Sequence, residues 1–556
     1  RDIGGLIFID LRDITGIVQL VFDETTEREV FERAASAKNE YVLMANGILR
    51  TRENVNKEKD VEIFVKDLQI LSKSAPLPYE IHSGKKANEE LRLKHRSLDL
   101  RCADLQKNLI LRHNLAKATR DYFYANRFYE IETPMFIKST PEGARDFLVP
   151  SRLHAGKFYA LPQSPQIYKQ LLMISGFDRY IQLARCFRDE DNRADRQPEF
   201  TQIDLEMSFV DVDDVLEMLE GFVKHIMSEI MSIEITTPLP RLTYDEAIAR
   251  YGIDKPDTRY GMEITDITEV AKQTDFAVFK DAEAVRGIVA KGGAAALTRK
   301  EIDKLIEFAK GIGARGLSYI RWHEEAPNCS FGKFATEAQL AEICRLLGCE
   351  KGDAAFIAAD KCKAVSRVLG AMRTQTAGQL NMIPETGYNY LWITEMPFFE
   401  FNDETNEWDA MHHPFTMPHD DCLQYLDSGE SAPEFGKVYA KAYDLVLNGT
   451  ELCSGSIRIT DFELQERMFK ALRLSAEEIE SKFGFLIDAY KFASPPHGGA
   501  GIGLDRLAMI LCGAKSLRDV TAFPKTKDAS ELMSGSPGEV DMKQLDELHL
   551  KLKEQK

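Results

Sequence analysis

The chain has no uninterrupted apolar run long enough to cross a bilayer, so no membrane segment is expected. It has no C-x-x-C pair: the nine cysteines are scattered and unpatterned. That excludes a disulfide frame and a zinc site, and reads as reduced thiols in a cytosolic protein. Internal repeats and low-complexity tracts are also missing. The opening residues, "RDIGGLIFID", lack the charged-then-apolar pattern of a secretory signal. They lack a starting Met too and begin almost inside a strand, so a preceding piece is expected. Both common nucleotide loops are absent. "PPHGGAGIGLDRLAMIL" needs a glycine at Leu504 to fit G-x-G-x-x-G, and no G-K-[ST] occurs there.

What is present is an ordinary globular composition, 44% hydrophobic and 29% charged over 556 residues. That length gives room for roughly two to four domains. The net charge of −18 does not favour a nucleic-acid partner, although local basic patches rather than totals decide phosphate binding.

Up to about residue 75 the chain reads as strands. "LIFIDLRDITGIVQLVFD" is two runs around a "DITG" turn; "YVLMANGILRTR", with an "ANG" turn, and "VEIFVKDLQILSK" follow, and "TTEREVFERAAS" is a short helix. Short strands with one helix suggest an OB-like barrel lacking its first edge. "SAPLPYEI" marks a boundary, and "RLKHRSLDLR" is a basic connector suited to a nucleic-acid backbone. From Asp104 a long amphipathic helix runs into a strand stopping at Pro134. "DVDDVLEMLEGFVKHIMSEIM" is a second helix, acidic in its first turn, with Val215, Leu219, Phe222, Ile226 and Ile230 on one face. Residues from about 260 to 390 alternate helix and strand in another style and read as an inserted α+β module. "DMKQLDELHLKLKEQK" reads as a charged terminal helix.

Three stretches suggest chemistry. In "FRDEDNRADRQPEFTQID", Arg188 and Glu190 share a face if the strand continues, with Asp189 on the other. An Arg fork suits a phosphate or carboxylate, a carboxylate accepts from an amino group, and Phe200 on the return strand suits a flat ring. The second is the glycine-rich turn before a helix starting near Leu504 to Arg506, where bare backbone can approach a ligand. The third is "YDLVLNGTELCSGSIRI", with Asp444, Glu451 and Arg458 at intervals of seven. Carboxylates near a phosphate site suit Mg²⁺. Each has a plain alternative: a solvated hairpin tip, a simple helix start, surface carboxylates.

Taken together, "FRDED…RQPEFTQID" resembles motif 2 of the class II aminoacyl-tRNA synthetases, "GIGLDRLAMIL" their motif 3, and "FYEIETPMF" the end of motif 1. "TPEGARDFLVPSR", "ALPQSPQIYKQLLMISGFDRY", "AMHHPFT" and "AFPKT" are similar, in order, to the bacterial-type aspartyl-tRNA synthetase family (subclass IIb). The resemblance covers nearly the whole chain. It implies an α+β multidomain fold: an OB-fold anticodon-binding barrel (1–78), a hinge (79–104), an antiparallel-sheet catalytic domain in two parts (105–260 and 391–530), an inserted GAD-like α+β domain (261–390) and a tail (531–556).

It also implies an aspartate–tRNA ligase that uses ATP and Mg²⁺, acts on L-aspartate and tRNA-Asp, is homodimeric and cytoplasmic, and meets no membrane. Whether tRNA-Asn is charged too is left open. By the same resemblance Arg188 and Arg506 are catalytic, on the α- and γ-phosphates. Asp189, Glu190, Gln197, Phe200, Glu451, Gly503, Leu504 and Asp505 belong to the ATP site, with Asp444 and Glu451 as metal ligands. Lys169 and Arg458 would bind the aspartate side chain, and Asp204 and Glu142 would face its ammonium. Ser164, Gln166, His412 and His413 complete that pocket, and Phe8 and Gln19 would meet the anticodon. On strand alternation alone Phe8 fits a core position equally well. Cys453 and Ser454 stand where the family has glycines, so their Cβ atoms either crowd the nucleotide or point away. A lysine-specific site would need an acidic pocket and asparagine gains nothing from two cations. A catalytically dead relative would be expected to lose the phosphate arginines.

Overall fold

The computed structural model describes the chain except residues 1, 4, 52–60, 82–86, 141–142, 192, 403–404, 429–431 and 554–556. It divides into two compact units, residues 1–102 and 103–556.

The first unit is a five-stranded sheet with one helix, Arg28–Ser36. Strand Leu6–Asp13 pairs with Gly16–Phe22, which runs parallel to Val61–Ser72, and Val42–Thr51 closes the order antiparallel. Ile7, Leu20, Phe22, Val65 and Leu68 pack with Val30 and Ala34 of the helix. The opposite face is set by register: Phe8 opposes Val21 and Asp10 opposes Gln19, so Phe8 and Gln19 lie together on that face. Two expectations change. "ANG" is no turn but a bulge within one continuous strand, and Gly47 is needed because a Cβ there would overlap the Phe64 carbonyl oxygen. The connector is two short helices, Glu89–Lys94 and Arg96–Asp99, with Arg92 and Arg96 turned to Asp99 while Lys94 stays exposed. Arg96 and Arg92 lie 2.8 and 3.4 Å from Asp99, and Arg101 lies 2.8 Å from Glu40.

The second unit is built on an eight-stranded sheet. From one edge its strands are Arg241–Thr243, Tyr390–Pro397, Tyr439–Leu447, Thr450–Ile457, His497–Gly503, Glu199–Ser208, Arg179–Phe187 and Tyr129–Glu130. The six central strands are antiparallel and the two edge pairs are parallel. Helices Ala103–Ala125, Val212–Met231 and Leu504–Leu511 cover one face. Asp211 caps the second of these in a capping box with Asp214, and its buried face carries Val215, Leu219, Phe222 and Ile226. These meet Ile203, Leu205 and Met207 of the sheet, each large side chain contributing about 1.5–3 kcal/mol. The alternate residues of that strand, Phe200, Gln202, Asp204 and Glu206, therefore turn to the other face.

The inserted stretch forms its own antiparallel sheet, in the order Thr265–Asp266, Ala284–Ala290, Ala354–Asp360, Ser318–Arg321 and Asn328–Cys329. Helices Arg299–Gly311 and Cys362–Gln379 pack on it. Among the described residues near the C-terminus only Met542–Glu547 is helical, shorter than the charge pattern suggests.

The glycine-rich "HGGAGIG" is a central strand, not a turn. Its glycines make room for neighbours. An added Cβ at Gly499 would overlap the Glu206 carboxylate and the Leu205 carbonyl oxygen, and one at Gly501 would overlap the Gln202 amide. At Gly503 the nearest atom, Arg506 Cβ, is 3.6 Å away, an ordinary contact. Gly499→Ala is therefore expected to cost about 1–3 kcal/mol or more in urea unfolding. Gly503→Ala should cost well under half as much, and equal losses would contradict the packing role assigned to Gly499.

Candidate functional site

The sheet face opposite the helices opens into a cavity of about 560 Å³. Its deep end is ionic. Lys169, from helix Gln166–Ile174, lies 2.8 Å from Asp204 and 3.3 Å from Glu206. Arg458, just past strand Thr450–Ile457, holds Glu206 through Nε at 2.9 Å and Nη2 at 3.2 Å, and its Nη1 donates to Ser456 at 2.7 Å. The side chains of Lys169 and Arg458 are 2% and 6% exposed, those of both carboxylates 0%. Charges this dry persist only when paired, because each would lose several kcal/mol of hydration.

Burial pushes both carboxyls up, with different outcomes. Arg458 and Lys169 more than offset it for Glu206, which is held at about 2. For Asp204 burial prevails over Lys169, and the carboxyl is raised. Asp204 Oδ2 has no hydrogen-bond partner among the described residues, and neither have Gln166 Nε2, His412 Nε2 and His413 Nε2. Burial lowers His412 to about 4 and, with the charges of Arg458 and Lys169, His413 to about 3. Both imidazoles are neutral near pH 7.

The outer end is lined by Arg188, Glu190, Gln197, Phe200 and Arg506. The Arg188 guanidinium lies 5.1 Å from the Phe200 ring centroid, and its buried Nε has no partner among the described residues. Arg506, in the first turn of Leu504–Leu511, donates to the Glu451 carbonyl at 2.7 Å. Gln197 lines the wall while its Oε1 accepts from the Lys525 amide at 2.9 Å, within "AFPKT". One Glu190 oxygen is 3.2 Å from Arg196.

The cavity thus brings together Ser164, Gln166, Lys169, Arg188, Glu190, Gln197, Phe200, His412, His413, Glu451, Arg458, Gly503, Asp505 and Arg506. Three expectations need correction. Leu504 is 1% exposed and packs in the core. Asp189 turns away and lies 3.5 Å from Arg145. Asp505 lines the cavity with its carboxylate already engaged, by Arg112 at 2.6 Å and the Thr201 amide at 2.7 Å. Asp204 is fully buried beneath the cavity floor, behind Lys169, which lines the cavity. Glu142 is outside the described residues. Cys453 is buried in the core and Ser454 reaches the wall, so only Ser454 stands near a ligand. Glu206 was not singled out from sequence. Its signal was there: a second acid two positions from Asp204 inside the apolar run "IDLEM".

Glu451 lines this end, and Asp444, on the adjoining strand Tyr439–Leu447, is buried and does not reach the cavity wall. Burial, then the charge of Glu451, raises the Asp444 carboxyl to about 7. Crowded carboxylates that repel each other in this way fit a hard divalent cation completed by substrate oxygens. Among the described residues no group of three or more acidic, His or Cys side chains has metal-site geometry.

The profile described as "tRNA synthetases class II (D, K and N)" matches residues 88–527, and that described as "OB-fold nucleic acid binding domain" matches 1–71. These set the class. An aspartate–tRNA(Asp/Asn) ligase of Caldanaerobacter subterraneus subsp. tengcongensis is 52% identical, over 99% of this chain and 94% of its own. An aspartate–tRNA ligase of Ruminiclostridium cellulolyticum is 51% identical with the same coverage. The chain belongs to the aspartate–tRNA ligase family of the class II tRNA synthetases. Solved structures agree in fold. An asparaginyl-tRNA synthetase of Entamoeba histolytica with asparaginyl-adenylate matches at TM-score 0.57 and 18% identity, covering 95% of this chain and 92% of that one. A putative aspartyl-tRNA synthetase from Leishmania major matches at 0.58 and 18%, covering 94% and 87%.

Removing one carboxylate from the buried quartet leaves a guanidinium uncompensated. Glu206→Gln is expected to lower unfolding free energy by about 3–5 kcal/mol in denaturant titration. A loss below about 1 kcal/mol, the size of an exposed ion pair, would contradict the buried pairing.

Proposed function

We propose that the protein activates L-aspartate with ATP to aspartyl-adenylate and transfers the aspartyl group to the 3′ end of tRNA-Asp. The observation that carries this is one cavity with Lys169 and Arg458 at its deep end and Arg188 and Arg506 at its outer end. Aspartate brings two carboxylates and one ammonium. Its side chain suits the Lys169–Arg458 cations, and its ammonium suits the unpartnered Asp204 Oδ2. A neutral amide in that place would set N–H donors against these two cations and forfeit the charge-assisted hydrogen bonds that a carboxylate accepts, a larger penalty than a difference of shape.

ATP enters with adenine between Phe200 and Arg506 and the α-phosphate at Arg188. The ionised α-carboxylate attacks the α-phosphorus in line, forming the acyl–phosphate bond as the bond to the pyrophosphate oxygen breaks. No general base is needed, and the neutral, depressed His412 and His413 suit orientation rather than proton removal. Arg188 and Arg506 hold and neutralise the phosphates through the in-line geometry. Asp444 and Glu451 would hold Mg²⁺, which supplies further neutralisation of phosphate charge. A 3′-terminal hydroxyl of tRNA then attacks the carbonyl carbon and AMP departs.

The sheet of residues 1–78 is assigned to the anticodon. Phe8 and Gln19 share its outer face with Phe64, and Arg50 lies 3.9 Å over the Phe64 ring, a combination suited to unstacked bases. Residues 79–104 are the hinge, 105–260 and 391–530 the catalytic domain, 261–390 the insertion and 531–556 the tail. A homodimer is supported by exposed apolar side chains beside edge strand Tyr129–Glu130, among them Tyr129, Phe136, Leu148, Phe158 and Phe177. Among the described residues no helix is long and apolar enough to cross a membrane; the cytoplasm is assigned as the site of action from the chain's membership of the ligase family alone.

Wild-type protein should exchange pyrophosphate into ATP only when aspartate is present. It should charge tRNA-Asp, with tRNA-Asn assayed in parallel. Arg188→Ala should slow exchange about 10²–10³-fold while unfolding as wild type. Exchange supported equally by asparagine or lysine, or an Arg188 variant as fast as wild type, would refute this function.

A further inference from the structure

The crossing into the inserted module carries a cation to the carboxylate pair. Lys255 Nζ lies 2.6 Å from Glu451 Oε2 and 3.6 Å from Asp254. Sequence reading did not single it out, since a lysine in "GIDKPDTRY" looks like a solvated loop residue. Its side chain is one-third exposed.

The segment around Lys255 is pinned at both ends by one helix of the insertion, Cys362–Gln379. On its N-terminal side, Gly252 closes helix Tyr244–Tyr251 in the left-handed region at φ 70°. Its backbone meets that of Gly370 so closely that a Cβ on either would overlap the other's main chain. On its C-terminal side, buried Arg373 donates to the Asp257 carbonyl at 2.5 Å and to the Gly261 carbonyl at 2.8 Å. Its guanidinium lies 4.8 and 4.3 Å from the Tyr251 and Tyr260 ring centroids. Asp257 Cβ in turn would lie 3.1 Å from a Cβ at Gly449, in the turn that leads into the Glu451 strand. Five residues, 253–257, therefore have little freedom, and the ammonium arrives at Glu451 from a fixed direction.

We propose that Lys255 is a positioning residue for the metal-binding carboxylates, and that the inserted module serves the nucleotide site by holding it there. This rests on the function proposed above. Lys255 engages Glu451 Oε2, which restrains the carboxylate that would help hold the cation and offsets its repulsion from Asp444. Such an outer partner orients a ligand without touching the ion. An insertion more than one hundred residues long thus acts on the active site through one helix and one lysine.

The test is calorimetric binding of ATP, without aspartate, across a series of Mg²⁺ concentrations, for wild type, Lys255→Met, Lys255→Arg and Arg373→Met. Lys255→Met should raise the Mg²⁺ concentration needed for half-maximal ATP binding about 10-fold or more, with aspartate binding unchanged. Lys255→Arg should recover most of it. Arg373→Met, if it unfolds as wild type, should shift the Mg²⁺ dependence in the same direction while altering no atom near the carboxylates. An unchanged Mg²⁺ dependence in Lys255→Met, or a parallel loss of aspartate binding, would overturn the inference. Wild-type aspartate-dependent exchange measured on the same preparation separates that result from failure of the underlying function.

Discussion

Two cations and two carboxylates share a dry floor on one sheet: Lys169, Arg458, Asp204 and Glu206. Much of the surrounding structure is what this quartet requires. Glu206 needs space beside it, and the neighbouring strand supplies Gly499 opposite it in register. Gln202 needs the same from Gly501. The far side of the strand must then anchor the sheet, and Ile203, Leu205 and Met207 do so against the helices. The glycine-rich segment, which suggests a ligand-cradling loop, is better understood as a strip without side chains that lets a charged layer lie flat.

The quartet is formally neutral before a ligand arrives. Glu206 takes much of the positive charge of Arg458 and part of that of Lys169, so the cations are held in place but not fully spent. An incoming carboxylate meets preformed donors, and Asp204 Oδ2, unpartnered among the described residues, is the acceptor assigned to an incoming ammonium. Preorganisation of this kind reduces the reordering that binding must overcome. At the other end Arg188 is shelved on Phe200, and Arg506 is tied to the Glu451 carbonyl. The carboxylate that follows the same turn is steadied by Lys255. The two ends are joined by strands, not loops, which keeps the distance between the two reacting groups fixed.

The long helices, the two-strand motif around Arg188 and the separate style of the insertion were legible because each has a strong period or long motif. Arg188 and Glu190 reach the cavity while Asp189 turns away, as alternation leads one to expect, although the strand ends at Phe187. Other features depend on long-range packing that no local pattern carries. Leu504 and Asp505 sit within the recognised motif, yet one side chain serves the core and the other is engaged by Arg112, nearly four hundred residues earlier. Glycine at 47 marks a bulge because of a carbonyl on another strand. Lys255 is invisible in sequence because its partner lies across the insertion.

The central claim is that Lys169 and Arg458 together read a side-chain carboxylate. Calorimetric titration of wild-type protein with L-aspartate and with L-asparagine, each in the presence of ATP analogue and Mg²⁺, tests it most directly. Aspartate should bind, and asparagine should bind at least about 10⁴-fold more weakly, since its amide N–H donors would face the two cations and the charge-assisted bonds are lost. Comparable affinities for the two amino acids would contradict the account.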